Sequence, residues 1–254
     1  MAVSIDTVYQ RVLSILNKEQ RGYVTPQEFN LFANQAQLDL FEQYFYDINQ
    51  FGRLPGNDTE YSDMLKLLDE KISIFETRKT NLQYNFGSNG TFILPDDLYR
   101  LGTVIYKNST TKLILDPAQG PETPQTTIEE IEVERINANE FLYINSSPLT
   151  KPRNVRPLYV ADYRGLKVYG DVEITADIDL TYVKQPAKVE WKYQMVLGEA
   201  LYDSSFSVNF ELHASEETEL VIKILELASL ATKDLQVNQI ATQEEIRNTQ
   251  QEKS

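Results

Sequence analysis

Apolar residues recur at helical spacing at the start of the chain and at alternate positions in its middle. Ile5, Val8, Tyr9, Val12, Ile15 and Leu16 fall on one face of a helix, which Gly22 ends with a turn. Thr25-Pro26-Gln27-Glu28 then supplies a capping hydroxyl, a proline suited to the first helical position, and a carboxylate placed to reach back to the cap. The helix it starts carries Phe29, Phe32, Ala33, Ala36, Leu40, Phe41, Tyr44, Phe45 and Ile48, a stripe wider than one partner helix covers. That breadth predicts a central member of a bundle. Phe51 to Asn57, with Gly52, Pro55 and Gly56, breaks the pattern, and Tyr61, Met64, Leu65, Leu68, Ile72 and Phe75 describe a third helix.

Near residue 80 the period shortens toward two. Leu82 to Phe86, Gly87-Ser88-Asn89-Gly90 and Thr91 to Leu94 read as a hairpin with a four-residue turn. Further strands are expected at Leu101 to Tyr106, Lys112 to Leu115, Leu158 to Ala161, Gly165 to Tyr169 and Asp177 to Val183. In the last, Ile178, Leu180 and Tyr182 alternate with Asp179, Thr181 and Val183. A twisted antiparallel sheet fits this set. Asp116 to Thr127, with Pro117, Pro121 and Pro124, reads as a loop; Glu129, Glu130, Glu132 and Glu134 read as a solvated face. A short helix or extended piece is expected at Asn137 to Tyr143, and Lys151 to Pro157, with Arg153 and Arg156, forms a basic surface loop.

Helical spacing returns after Ser215, read as a cap, with Glu216 and Glu217 at the positive end of the helix dipole and Leu220, Ile224, Leu227, Ala228 and Ala231 on one face. The Gln-rich stretch from Leu235 to Ser254 offers only Val237, Ile240 and Ile246 for burial, and alone it should fray. The resulting expectation is an α+β fold. N- and C-terminal helices, residues 1–80 and 190–234, form a helical bundle; an antiparallel β-rich region, residues 81–189, is inserted in it; residues 235–254 form a tail.

Composition narrows the chemistry. There is no Cys and a single His, His213, so disulfides, thiolate metal sites and Cys-His catalysis are excluded, and any Ser-His-Asp arrangement would have to be built on His213. No Gly-rich phosphate loop, metal-ligand spacing or basic recognition helix is visible, so no catalytic, cofactor-binding or metal residue is assigned and no cofactor is expected. With 38 acidic against 24 basic residues the formal net charge is −14, which opposes tight binding to nucleic acid. Such a surface serves solubility, or a channel wall past which DNA slides. No apolar run of about 18 residues spans a bilayer, and Met1-Ala2-Val3-Ser4 lacks the order of an export signal, so a soluble protein that stays where it is made is expected.

Four stretches carry a family resemblance: Gly22 to Asn30 continuing through Ala33 to Phe41; Phe92-Ile93-Leu94-Pro95-Asp96-Asp97-Leu98-Tyr99-Arg100-Leu101; Leu180 to Pro186 followed by Trp191; and Asn209 to Glu217. In this order the chain resembles the head-to-tail connector family of short-tailed bacteriophages, in particular the ring adaptor proteins of crAss-like phages. The resemblance implies a structural virion protein at the head-tail junction, assembled in the host cytoplasm. It implies a homo-oligomeric, dodecameric ring seated on the portal protein, with further ring or tail proteins docked below and genomic DNA ejected through the channel without specific binding. It also implies structural roles for His213 and the Asp96-Asp97 pair. Two site expectations go with it: Val237, Ile240 and Ile246 as candidate portal contacts, the tail ordering on the portal, and Glu129, Glu130, Glu132 and Glu134 at the lumen or its rim.

Other readings remain open. One is another tail or collar ring component. A second is a tail-associated glycan-processing enzyme, which would hold two carboxylates about 5 Å apart if retaining. A third is an acidic interaction module, monomeric or dimeric, that binds basic proteins.

Overall fold

A computed structural model describes residues 3–18, 24–51, 64–87, 90–114, 123–196 and 199–232, together with Gln243, Ile246 and Arg247. In chain order the elements are α1 (Ile5–Lys18), α2 (Pro26–Phe51), α3 (Met64–Ser73), β1 (Glu76–Lys79), β2 (Tyr84–Asn85), β3 (Thr91–Phe92), β4 (Leu98–Ile114), β5 (Thr123–Ile136), α4 (Ala138–Ser146), β6 (Leu158–Asp162), β7 (Gly165–Tyr169), β8 (Glu173–Ile174), β9 (Ile178–Lys184), β10 (Tyr193–Val196), β11 (Glu199–Tyr202), a 3-10 turn (Ala214–Glu216) and α5 (Glu217–Thr232). They belong to two compact units: Met1–Ile74 with Pro186–Ser254, and Phe75–Gln185.

In the first unit α2 begins with a reciprocal cap. Glu28 N–H donates to the Thr25 hydroxyl (3.3 Å), while Thr25 N–H and hydroxyl donate to the Glu28 carboxylate (3.0 and 2.8 Å). These bonds satisfy backbone donors that a helix start leaves open. They hold the Glu28 carboxyl below the usual range, the backbone N–H of Thr25 contributing most.

The apolar stripe of α2 is buried inside this unit: Phe29, Ala33, Ala36, Leu40, Phe41, Tyr44 and Phe45 are all inaccessible or nearly so. Alongside it runs a second, polar stripe. Asn30 exchanges hydrogen bonds with the N–H and C=O of Trp191 (2.8 and 3.2 Å), Asn34 does the same with Val189 (3.0 and 2.9 Å), and Gln37 accepts from Glu211 N–H and donates to Ala187 C=O. Positions 30, 34 and 37 lie on one helix face, and residues 191, 189 and 187 are alternate positions of extended chain, so helix side chains satisfy a backbone that has no strand beside it at these points. Phe32 and Ile48, the remaining members of the expected stripe, are only partly covered.

The last helix departs from its expected cap. The cap is His213, whose Nδ1 accepts the Ser215 N–H (3.3 Å) at the head of the 3-10 turn. Glu216, expected at the positive end of the helix dipole, is buried and paired with Lys71 at 2.7 Å.

The second unit is one sheet of nine strands in the order β1-β9-β4-β5-β6-β7-β3-β2, with β8 beside β7, and it curls into a half-barrel. All pairings are antiparallel except β5 with β6. Its core comprises Leu82, Phe92, Val104, Val133, Tyr159, Leu166, Val168, Ile174, Ile178, Leu180 and Tyr182.

This corrects the expected fold class. The α+β helical bundle formed by N- and C-terminal helices with an inserted antiparallel β-rich region is not what forms: five helices accompany a large mixed sheet, and helices do not dominate. Three physical reasons stand out. The expected strands Leu101 to Tyr106 and Lys112 to Leu115 are, as far as Ile114, where the described residues break off, a single long strand, β4, whose alternation is interrupted by register shifts at Leu98/Arg100 and Leu101/Val104. Thr123 to Thr127, read as loop on its composition, is paired strand in β5. The third reason is α4, which lies between β5 and β6 and lets the chain return to its starting end, making that pair parallel. The expected breaks at Gly22 and at residues 52–57, and the loop residues 116–122, lie outside the described residues.

Candidate functional site

Strands β4 and β5 run well past their other neighbours. β4 pairs with β9 as far as Tyr106↔Ile178, and β5 pairs with β6 only from Glu134↔Leu158, yet β4 and β5 stay paired with each other from Val104↔Val133 to Ile114↔Thr123. The excess is a two-stranded arm.

Where the arm leaves the sheet, four neighbouring strands each contribute one charged side chain to one face: Arg78 on β1, Asp179 on β9, Lys107 on β4 and Glu130 on β5. Asp179 has no accessible surface. Its Oδ2 accepts from Arg78 Nε (3.1 Å) and Nη2 (2.8 Å) and meets Lys107 Nζ at 2.8 Å, while its Oδ1 accepts from Asn81 N–H at 2.9 Å. Asn81 holds a positive φ of 52°, a backbone state that Asn tolerates better than most residues, and so places its N–H against the carboxylate. Burial pushes the Asp179 carboxyl up; the bonds from Lys107, Asn81 and Arg78, with the Lys107 charge, outweigh it and hold the group below the ordinary aspartate value. Arg78 also reaches Glu130.

The four predicted acidic residues are all exposed on β5, but they do not form one cluster. Val104 and Val133 are opposite each other and buried, so Glu129 shares the core-side face while Glu130, Glu132 and Glu134 share the other. Glu130 is engaged by Arg78 and Glu134 by Arg156 at 2.8 Å; among the described residues Glu129 and Glu132 form no ion pair. Two shallow hollows lie beside Gly102. One, of about 440 Å3, is lined by Glu132, Glu134, Arg135 and Arg156; the other, of about 520 Å3, by Glu76, Arg78, Thr103 and Thr181. The chain is close-packed at Gly102, where a side-chain carbon would sit 2.7 Å from the Thr181 carbonyl oxygen.

Of the candidate portal contacts, Val237 and Ile240 lie outside the described residues, and Ile246 is half exposed in a helical residue. Asp97 accepts from the Tyr182 hydroxyl (3.0 Å) and its carbonyl accepts Gln185 N–H (2.7 Å), which anchors the chain before β4 to β9. Among the described residues no group of three or more His, Asp or Glu side chains is arranged to hold a metal ion, and no helix is long and apolar enough to cross a membrane.

Sequence reasoning missed two features. Asp179 was placed among the polar alternate positions of its strand; its burial follows from Arg78 and Lys107 on the flanking strands, and only the pairing reveals those. The second is a set of large apolar side chains left outside. Helix α4 buries none of its residues and exposes Leu142 and Tyr143 (74% and 79%), and Leu149 beyond it is 93% exposed. The turns of the sheet present Phe86, Val155 and Val172, and in the first unit Met195, Leu201 and Phe206 are exposed on and after the β10-β11 hairpin.

No family model matches the chain, and no curated protein matches it in sequence.

Proposed function

We propose that the chain is a structural subunit of a bacteriophage particle, an adaptor that assembles into a ring under the portal, conducts DNA without binding it specifically, and docks the tail. The observation that supports this most is the set of exposed apolar side chains on short, hydrogen-bonded elements: Leu142, Tyr143 and Leu149 on and beyond a helix with no buried residue, and Phe86, Val155 and Val172 on turns of one sheet. Large apolar groups held outward on ordered backbone suit surfaces that other subunits cover. The net charge of −14 fits a wall past which a polyanion travels. The resemblance to short-tailed phage connectors supplies the ring, its twelve copies and the portal as partner.

Electron microscopy and native mass spectrometry of the purified chain, alone and mixed with a portal, test the reading. Symmetric annuli are expected. A solitary monomer that ignores portal complexes would overturn it.

A further inference from the structure

The arm formed by β4 and β5 has two open edges, and the hydrogen bonds at its base fix which backbone groups face outward. Lys107 N–H donates to Asp177 C=O, toward β9, and Glu134 N–H donates to Pro157 C=O, toward β6. Strand alternation then turns the N–H and C=O of Ser109, Thr111 and Leu113 out along the β4 edge, and those of Ile128, Glu130 and Glu132 out along the β5 edge. The register agrees: Ser109↔Ile128 and Thr111↔Thr126 are opposite partners, and opposite residues in an antiparallel pair either bond each other or both face away. Pro124, opposite Leu113, belongs to the outward set, so its missing N–H costs the arm no internal bond. Among the described residues neither edge has a strand beside it.

A row of open donors and acceptors is a template for another strand, and the charges on the two edges differ. From Ile128 to Glu132, β5 carries Glu129, Glu130 and Glu132, of which Glu130 is held by Arg78; from Ser109 to Leu113, β4 carries Lys112 and no carboxylate, Lys107 at its base being held by Asp179. Pairing β5 with a second β5 sets carboxylates against one another, and β4 with β4 does the same for lysines. Only β5 against β4 brings opposite charges together. Copies related by rotation about a ring axis keep their arms pointing the same way, so β5 of one copy meets β4 of the next antiparallel, and the contact uses two different surfaces, as a closed ring requires.

We propose that the arm is a self-assembly element in which the β5 edge of one copy pairs with the β4 edge of the next, joining the arms into a continuous sheet closed on itself. Closure leaves no edge exposed. The inference rests on the ring reading above and adds the surface that makes the ring.

Ile128→Pro, Glu129→Lys with Glu132→Lys, and the same pair combined with Lys112→Glu test it in the full chain, by native mass spectrometry and electron microscopy with and without portal. Ile128→Pro removes an outward N–H and leaves the arm's internal bonds in place; loss of rings with an unchanged melting curve is expected. The double lysine variant should associate at least about tenfold more weakly, with Lys112→Glu restoring association in the same chain. The charge variants decide the matter if the proline variant fails to fold. Wild-type rings that persist in both the proline and the double lysine variants would overturn the arm pairing and leave the ring reading on other surfaces. No rings from the wild type under either condition would remove the ring reading and this inference with it.

Discussion

Replacing Asp179 by Asn removes one negative charge from a site where it faces two cations and leaves the shape almost unchanged. The carboxylate is inaccessible and receives Arg78, Lys107 and the Asn81 N–H. Breaking a fully buried ion pair by deleting one partner costs about 3–5 kcal/mol, because the other charge stays buried without compensation. Here the side chains of Arg78 and Lys107 are 39% and 24% exposed, so water takes over part of their stabilisation, and Asn keeps an acceptor for Asn81. The lower end, about 3 kcal/mol, is expected, a fall of roughly 10 °C in the melting of the sheet unit. The dependence on pH follows from the lowered carboxyl. Its folded value lies below the ordinary 3.8, so its contribution is complete above that value and is lost as pH falls through the folded one. Urea titrations of wild type and variant from pH 8 to pH 3 should show a constant gap down to about pH 5 that narrows below about pH 4. A gap under about 1 kcal/mol at pH 7, or one that persists unchanged at pH 3, would refute the reasoning.

Three further changes probe other parts of the fold by the same unfolding measurement. Thr25→Ala removes the hydroxyl that caps α2 and should cost about 1 kcal/mol; a loss near zero would place the start of the helix elsewhere. Asn34→Leu strips Val189 of partners for both its N–H and its C=O and should cost about 2 kcal/mol, with faster amide exchange at Val189. By contrast Arg156→Ala, which breaks a pair with Glu134 whose side chains are both mostly exposed, should change stability by less than about 0.5 kcal/mol.

The parts legible in the sequence are those where local chemistry decides. The Thr25 to Glu28 signature begins a helix because both partners of the cap lie within one turn of each other, and the burial of Phe29, Leu40 and Phe41 follows from their spacing. What stayed hidden depends on partners far away in the chain. Asn30, Asn34 and Gln37 look like the solvent side of a helix until the segment from Ala187 to Trp191 is laid against them. Thr123 to Thr127 is strand only because Lys112, Thr111 and Thr110 lie opposite, and prolines nearby outweigh that in any reading of composition. In the candidate site the four glutamates, read as one solvated face with no strand assigned to them, lie on β5; alternation sends Glu129 to one side and the rest to the other, and the ion pairs of Glu130 and Glu134 involve residues 52 and 22 positions away.

The first and last strands of the second unit, β1 and β9, are neighbours, with Glu76 opposite Val183 and Lys184 N–H bonded to Phe75 C=O. The points where the polypeptide comes into the sheet and goes out of it therefore nearly touch. A segment with such juxtaposed ends can be lifted out, exchanged for another of similar gauge or expressed by itself with little loop-closure penalty. Residues 75–185 form a natural unit to clone separately.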